Sequence, residues 1–235
     1  MTLEWPNRLE IGSHSLPLVV RRNRRAKRIC LRYNATDHAV NLTLPQRTEL
    51  EDGLQFLQTK YDWLESTLNE APPKKHLKPG VKVPILGEPF RLRHQTDLPG
   101  TFALKDGMLL IGGTREHTAR RTQDALKQII RNEITGLAPL MAKQLNRKVG
   151  RISIRDTRTR WGSCSSTGNL NFCWRLVFAP REVLEYVVAH EVAHLKHMDH
   201  SPRFWATVEQ LLPNYQGAKE WLRLNASELC KYHVA

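Results

Sequence analysis

Two histidines and a glutamate within residues 190–194 have the types and spacing of a metal-hydrolase centre. The run reads His-Glu-Val-Ala-His. On a helix, residues four apart lie one turn apart on the same face, so both imidazoles can point at one zinc ion. Glu191 flanks that face and can take a proton from a zinc-bound water. Together with His200 shortly downstream, these positions indicate a zinc hydrolase, most often a metalloprotease.

The residues around this run predict a buried helix. Pro180 suits a first helical turn, and apolar residues recur after it at helical spacing. A second, almost opposite stripe holds Val183, Val187, His190 and His194. A helix that is apolar on two sides is typical of a buried element, and buried imidazoles need partners such as a metal ion. The alternative interpretation is a surface helix with two solvated histidines.

The third metal ligand has to come from beyond this helix, because a hydrolase zinc usually takes three protein ligands and one water. His197 lies one turn past His194, but three ligands along a straight helix would spread over about 10 Å. Metal–nitrogen bonds of about 2 Å cannot span that distance. A turn at 198–199, followed by a new helix from Ser201-Pro202, lets His200 fold back. His200 is therefore preferred. The alternative third ligands are Asp199, His197 and Glu209.

Two longer segments carry further recognisable motifs. Residues His190–Trp205 read H-E-V-A-H-L-K-H-M-D-H-S-P-R-F-W, and Arg160–Ser165 read R-W-G-S-C-S, with Leu170-Asn171 between them. In this order they resemble the YgjP-like metallopeptidase domains, relatives of the SprT-like proteases, although Asp199 stands where the family often has Asn. The resemblance covers residues 114–235 closely and the N-terminal part loosely. It implies a zincin (minigluzincin-like) catalytic half, in which the metal ligands are His190, His194 and His200 and the catalytic acid/base is Glu191.

The segment between two predicted strands, 151–155 and 170–177, is a candidate border of the substrate cleft. In zincins an edge strand beside the zinc helix pairs with extended substrate backbone, and Gly162 permits close backbone approach. The candidate substrate-binding residues are Trp161, Gly162, Ser163 and Cys164. The alternatives are a turn around a core tryptophan and a latent site with Cys164 as fourth metal ligand. Tyr215 is a candidate oxyanion stabiliser, and Trp205 a candidate for the cleft floor.

Composition limits the class of protein and its partners. The 235 residues carry a formal net charge of +13, and 40% are hydrophobic, which suffices for a packed core. The four cysteines form no C-x-x-C pair, which argues against a cysteine zinc site. Basic residues within 21–28 and 147–160 could bind nucleic acid or another polyanion, or could protect strand edges from aggregation. With no signal peptide and no apolar run of about 20 residues, we expect a cytoplasmic protein without membrane contact.

The predicted fold is α+β, with an HExxH helix packed on a small sheet. Three regions are expected: residues 1–73 are β-rich with one helix, 74–113 form a short-strand connecting region, and 114–235 form the zincin-like catalytic domain. The predicted strands of the first region are 16–20, 29–33 and 40–44. A capping box at Thr48 and Glu51 predicts the start of one helix, whose apolar face runs to Leu68 and which ends before Ala71. Later helices are predicted over 116–145 with a kink at Pro139, over 202–212 and over 217–229.

The expected function is that of a zinc-dependent metallopeptidase, most simply an endopeptidase acting on a peptide or protein. Glu191 would act as general base on a zinc-activated water and later protonate the leaving amine. Two other classes stay open. A metal-dependent nucleotide phosphohydrolase would use the arginines to hold phosphates. A nucleic-acid-associated protein would instead have a structural zinc, with all four coordination positions filled by the protein.

Overall fold

The computed structural model describes residues 6–34, 39–69, 75–157 and 159–233. The fold is mixed α+β, and the chain divides into two units, Met1–Pro73 and Lys74–Ala235. The finer division into three regions stays a prediction. Among the helices of the described ranges, none combines the length and the apolar character needed to span a bilayer.

In the first unit a four-stranded sheet and two helices share one apolar core. The strands are β1 (Arg8–Ile11), β2 (His14–Asn23), β3 (Cys30–Asn34) and β4 (Ala39–Pro45), and the helices are α1 (Leu50–Gln58) and α2 (Tyr61–Asn69). The sheet order is β1-β2-β4-β3. Alternate leucines of β2 and β4 are buried against Leu57, Leu64 and Leu68 of the helices. The half-buried strands predicted from alternation are therefore present, although their ends differ by one to three residues.

The prediction of one continuous helix through Leu68 is wrong, because the helix is interrupted near Thr59. The Thr59 hydroxyl donates to the carbonyl of Phe56, and the Lys60 N–H donates to the carbonyl of Leu57. These i to i−3 bonds tighten the last turn and end α1. The capping box is also wrong, since α1 has Glu49 rather than Thr48 as its N-cap residue.

Within the described residues, the second unit contains three small sheets and four α-helices. Its strands are β5 (Lys75–His76), β6 (Lys82–Ile85), β7 (Glu88–His94), β8 (Phe102–Lys105), β9 (Met108–Ile111), β10 (Ile152–Arg155), β11 (Gly162–Cys164), β12 (Leu170–Cys173) and β13 (Tyr232–His233). Its helices are α3 (Thr118–Gln144), α4 (Arg181–Ala193), α5 (Pro202–Leu211) and α6 (Gln216–Cys230). The sheet orders are β6-β7-β9-β8, β10-β12-β11 and β13-β5.

The strand predicted over 170–177 ends early. After Cys173 the chain enters a 3-10 turn, Trp174–Phe178, all of it buried. This turn brings the rings of Trp174 and Phe178 into an edge-to-face contact at 5.5 Å, which a straight strand could not form between these residues. The side chain of Arg175, inside the turn, pairs with Asp156. Tertiary packing therefore outweighs the β-forming character of this apolar segment.

The long third helix is close to its prediction. It begins at Thr118, after a 3-10 turn at Arg115–His117, and its predicted apolar stripe is buried at Leu126, Ile130 and Ile134. Pro139 lies inside the helix, and the kink there stays a prediction.

Helix α4 is the centre of the second unit. It contacts α3, α5, α6 and the short strand β11. Its two apolar stripes are both buried, as expected for a helix surrounded by protein: Val183, Leu184, Val187, Val188 and Val192. This packing holds the last turn of α4 in place, next to β11 on one side and α5 on another.

Candidate metal centre

Three imidazoles converge at the C-terminal end of α4. His190 belongs to the last turn of the helix, His194 is its C-cap residue, and His200 precedes α5. One ring nitrogen from each lies within 4.8 Å of the others, and the Nε2 atoms of His190 and His200 are 3.2 Å apart. Within the described residues, no other group of three or more His, Cys, Asp or Glu side chains comes this close.

A tight chain reversal brings the third imidazole back to the helix. The Asp199 carboxylate accepts a hydrogen bond of 3.1 Å from the Ser201 N–H, and Pro202 occupies the first turn of α5. His197 and Asp199 remain outside the histidine group. Glu209 also lies outside the histidine group. Its carboxylate accepts hydrogen bonds from the Asn214 N–H and the Gln216 side-chain amide.

The orientation of His194 is set by a backbone carbonyl. Its Nδ1 lies 2.9 Å from the carbonyl oxygen of His197. A carbonyl only accepts, so Nδ1 carries the proton and Nε2 keeps its lone pair. Ligand histidines in metalloproteins are usually held in this way. His190 departs from that pattern, because its buried Nδ1 has no hydrogen-bond partner in the part of the chain that the structure describes.

Aromatic side chains surround the three imidazoles. The ring of Phe204, fully buried, has its centroid 4.5 to 4.9 Å from all three. Trp205 lies further out, 5.8 Å from His190 and 6.0 Å from His200. Tyr215 stacks on Trp205 at 5.7 Å. Phe204 therefore forms the floor beneath the imidazoles, whereas Trp205 stands beside them.

The electrostatic environment keeps two of these rings neutral. Burial, followed by the charges of His194, His200 and Lys219 in that order, lowers the pKa of His190 to about 4. Burial also lowers the pKa of His194. Near neutral pH both rings therefore have an unprotonated nitrogen, which metal coordination requires.

Glu191 lies in a buried position beside β11. Its side chain is 5% exposed, and a Cβ built on Gly162 would lie 2.5 Å from both its Cγ and its Oε1. The carboxylate thus occupies the space that the missing side chain of Gly162 leaves. Burial raises the pKa of Glu191 to about 7, and the charge of Arg160 acts in the opposite direction. A carboxyl group with this pKa can exchange a proton near neutral pH.

The predicted cleft segment forms an edge strand. Among the described residues β11 pairs with β12 on one side only, with Gly162 opposite Phe172 and Cys164 opposite Leu170. Trp161, just before it, is anchored by a 2.8 Å bond from the Cys173 N–H to its carbonyl. Ser163 is another of the predicted substrate-binding residues, and its Oγ accepts a 3.2 Å hydrogen bond from the side-chain amide of Asn171. The structure thus places the cleft segment against α4, with one edge unpaired.

Cys164 is not part of the histidine group. Its Sγ lies 3.4 Å from the carbonyl oxygen of Ser165. Burial and, second, the charge of Glu191 raise the pKa of the thiol to about 11. The side chain is therefore a neutral thiol, which is a poor metal ligand.

Three features of this centre have no local signal in the sequence. They are the contact between Gly162 and Glu191, the cation of Lys219 above the Trp205 ring, and the place of Arg160 near Glu191. Each joins separate elements. Phe204 has a local signal, because it is an apolar residue in the first turn of α5, four residues after His200.

Comparisons with known proteins identify the family of this chain. A solved structure of a metallopeptidase zymogen, abylysin of Pyrococcus abyssi, is 22% identical and covers 40% of this chain and 92% of its own, with a TM-score of 0.35. No curated protein matches the chain. The comparisons support no nucleic-acid partner, so the polyanion contact stays a hypothesis. The profile described as "YgjP-like, metallopeptidase domain" matches residues 27–225. The chain therefore belongs to the YgjP-like metallopeptidase family.

Proposed function

We propose that this chain is a zinc-dependent metallopeptidase. In this proposal His190, His194 and His200 hold the ion and Glu191 is the general base. The observation that carries it is the convergence of three imidazole nitrogens within 4.8 Å, one residue from a buried carboxylate. Membership of a metallopeptidase family supports the reaction class and a peptide or protein substrate.

The donor set fits zinc. Three neutral imidazoles are a common ligand set for catalytic zinc, whereas magnesium and calcium prefer oxygen ligands. The fixed tautomer of His194 and the lowered pKa of His190 both supply lone pairs without a proton having to leave. When bound, the ion would supply a Lewis acid that polarises the scissile carbonyl and lowers the pKa of a water to about 7.

Glu191 is suited to moving the proton. Because burial holds its pKa near 7, the carboxylate can accept a proton from water and return it to the leaving amine. A divalent cation nearby would lower this pKa by stabilising the ionised form. The contact with Gly162 places the carboxylate beside β11, where the attacked peptide group would have to lie.

The unpaired edge of β11 supports substrate binding through Trp161, Gly162, Ser163 and Cys164. An extended peptide can add to such an edge as a further strand, held by main-chain hydrogen bonds. This mode would carry the scissile bond past Glu191. It would also make binding largely independent of side-chain identity along the strand, apart from groups at its ends.

A structural zinc is less well supported. Such sites fill all four coordination positions with protein ligands, whereas the described histidine group has three members. Cys164, the fourth ligand considered, is a neutral thiol outside the group. A water in the remaining position is what hydrolysis requires.

The test combines zinc analysis with hydrolysis of casein and of a peptide library. Wild type should contain one zinc per chain and cleave both substrates. Glu191→Gln should keep the zinc and lose roughly 100- to 10,000-fold in kcat, the usual contribution of a general base. His200→Ala should lose zinc. His197→Ala is the matched control and should keep zinc, because only its backbone carbonyl is used.

Three results would overturn the proposal: wild type without zinc affinity, Glu191→Gln with wild-type turnover, or zinc retained at full affinity by His200→Ala. The last would return the third ligand position to Asp199 or His197.

A further inference from the structure

Two cations beside the candidate centre have no carboxylate partner. Arg160 and Lys219 are both exposed. Neither belongs to an ion pair in the described parts of the chain. Each therefore presents a basic group that no acid of the described residues pairs with.

Arg160 is fixed at the beginning of the edge strand. The Thr157 hydroxyl donates to the Arg160 carbonyl at 2.7 Å. The following residue, Trp161, is anchored to Cys173. The next residue, Gly162, contacts Glu191. Arg160 therefore stands at the start of the strand along which a peptide on β11 would lie, two residues before the glycine that contacts Glu191.

Lys219 stands beside a different part of the centre. Its Nζ lies 3.9 Å from the centroid of the Trp205 ring, and that ring is 5.8 Å from His190. The ammonium charge reaches His190. Lys219 is carried by α6 and Arg160 by the segment before β11, so the two cations approach the centre from separate elements.

Three acids around the centre have another partner or another role. Glu220, next to Lys219, forms two hydrogen bonds of 2.7 and 2.8 Å with Arg223. Asp199 binds the Ser201 N–H. The carboxylate coupled to Arg160 is Glu191, which the proposed reaction uses. A substrate carboxylate is therefore the natural counter-ion for both positive groups.

We propose that Arg160 and Lys219 make this centre selective for peptides with acidic side chains near the scissile bond, one recognised by each cation. This inference rests on the proposed peptidase function and deepens it. Arg160 would bind an acidic residue of the segment along β11, where its planar guanidinium can form a bidentate pair. Lys219 would act as a point charge on the segment that passes over Trp205.

The test uses matched peptides with the same cleavable core. Glu, Gln or Lys is placed on the N-terminal side, the C-terminal side or both, and kcat/KM is measured at low and at physiological salt. An exposed ion pair changes affinity about 1.4- to 5-fold, so doubly acidic peptides should exceed doubly neutral ones by about tenfold. The lysine peptides should be the slowest, and salt should reduce all these differences.

Variants then assign each preference to its cation. Arg160→Gln should remove the preference on one side of the scissile bond and Lys219→Gln the preference on the other. Arg160→Glu should reverse the first preference. Lys105→Glu, on an exposed position of β8, is the control for net charge and should leave the preferences unchanged. Zinc content should be the same in all these variants.

Binding separates this inference from the proposed function. Labelled acidic and neutral peptides are titrated into Glu191→Gln, which should bind without cleaving. If no variant cleaves peptides but acidic ones bind more tightly, the peptidase proposal fails and the charge preference stands. If peptides are cleaved with equal kcat/KM whatever their charge, or if Lys105→Glu changes the preference as much as Arg160→Glu, the inference is overturned.

Discussion

The substitution Gly162→Ala tests most directly how Glu191 is positioned. The added Cβ would lie 2.5 Å from Cγ and Oε1 of Glu191 and 2.7 Å from its Cδ. Three successive atoms of one side chain are involved, so a small rotation of the carboxylate alone does not relieve the overlap. Glu191 is also buried between its helix and the strand, which limits its other rotamers.

The size of the effect follows from this geometry. Ordinary contacts at a Cβ begin near 3.4 Å, so either the carboxylate or β11 has to move by about 1 Å. A misplacement of about 1 Å at a reacting group can cost about 100-fold in rate. We therefore expect kcat/KM for a library peptide to fall about 100-fold in Gly162→Ala. Zinc content should remain at the wild-type level, because the three atoms nearest to the added Cβ all belong to Glu191 and none to a histidine.

The assay needs two controls. Gly136→Ala and Gly217→Ala add the same methyl group at helical positions where a Cβ meets nothing within 4 Å, and both should retain wild-type kcat/KM. The second control is Gly162→Ala in the Glu191→Gln background, where the base is already lost. There the added methyl should cost little more, since the two changes act on one interaction. If Gly162→Ala retains more than a third of the wild-type kcat/KM, the placement of Glu191 beside β11 is wrong.

Three further predictions concern stability. Burial raises the pKa of Glu191 from its ordinary 4.5 to about 7, so the metal-free protein loses stability as pH rises from about 4.5 through 7. In urea unfolding of the metal-free proteins, the free energy of unfolding of Glu191→Gln should exceed that of wild type by about 2–3 kcal/mol at pH 8 but not at pH 4. Equal unfolding curves of the two proteins at pH 8 would contradict this. Chelation should lower the Tm of wild type but not of His200→Ala, because only an ion bound to the folded state stabilises it; equal shifts would argue against the histidine group. Asp156→Ala should lower the free energy of unfolding by about 2 kcal/mol, since it leaves the Arg175 guanidinium, 4% exposed, without its carboxylate. Glu220→Ala, which breaks an exposed pair, should change little, and an equal effect of both would refute the role of burial.

Much of the second unit could be predicted because its signals are local. The apolar stripes of α3 and α4 repeat at helical spacing over several turns, and both helices are present within a few residues of their predicted ends. The fold-back of the chain at His200 also has a local cause, namely Ser201-Pro202 at the start of α5. Spacing and turn chemistry operate over a few residues, so one sequence suffices to find them.

The remaining differences arise from hydrogen bonds and side-chain contacts of the folded chain. The interruption near Thr59 replaces one predicted helix by two, although the leucine pattern continues through it. The turn Trp174–Phe178 replaces the end of a predicted strand, because ring packing and the ion pair of Arg175 favour a tighter path. The pattern of apolar residues encodes neither the hydrogen bonds near Thr59 nor the ring contact and ion pair in the turn Trp174–Phe178, because these interactions form only in the folded chain.

Glu191 illustrates why the motif and its surroundings have to be considered together. Glu191 directly follows the candidate ligand His190, so helix geometry turns its side chain by about 100° around the helix axis. The side chain therefore points away from the imidazoles and towards β11. Only a residue without a side chain at the facing strand position leaves room for it. The burial that positions the carboxylate also raises its pKa and so disfavours its ionised form. A metal ion bound by the histidines would stabilise the ionised form. Ionisation of Glu191 and metal binding therefore favour each other by thermodynamic linkage. In the proposed reaction, the carboxylate would thus be most available as a base when the histidine group holds an ion.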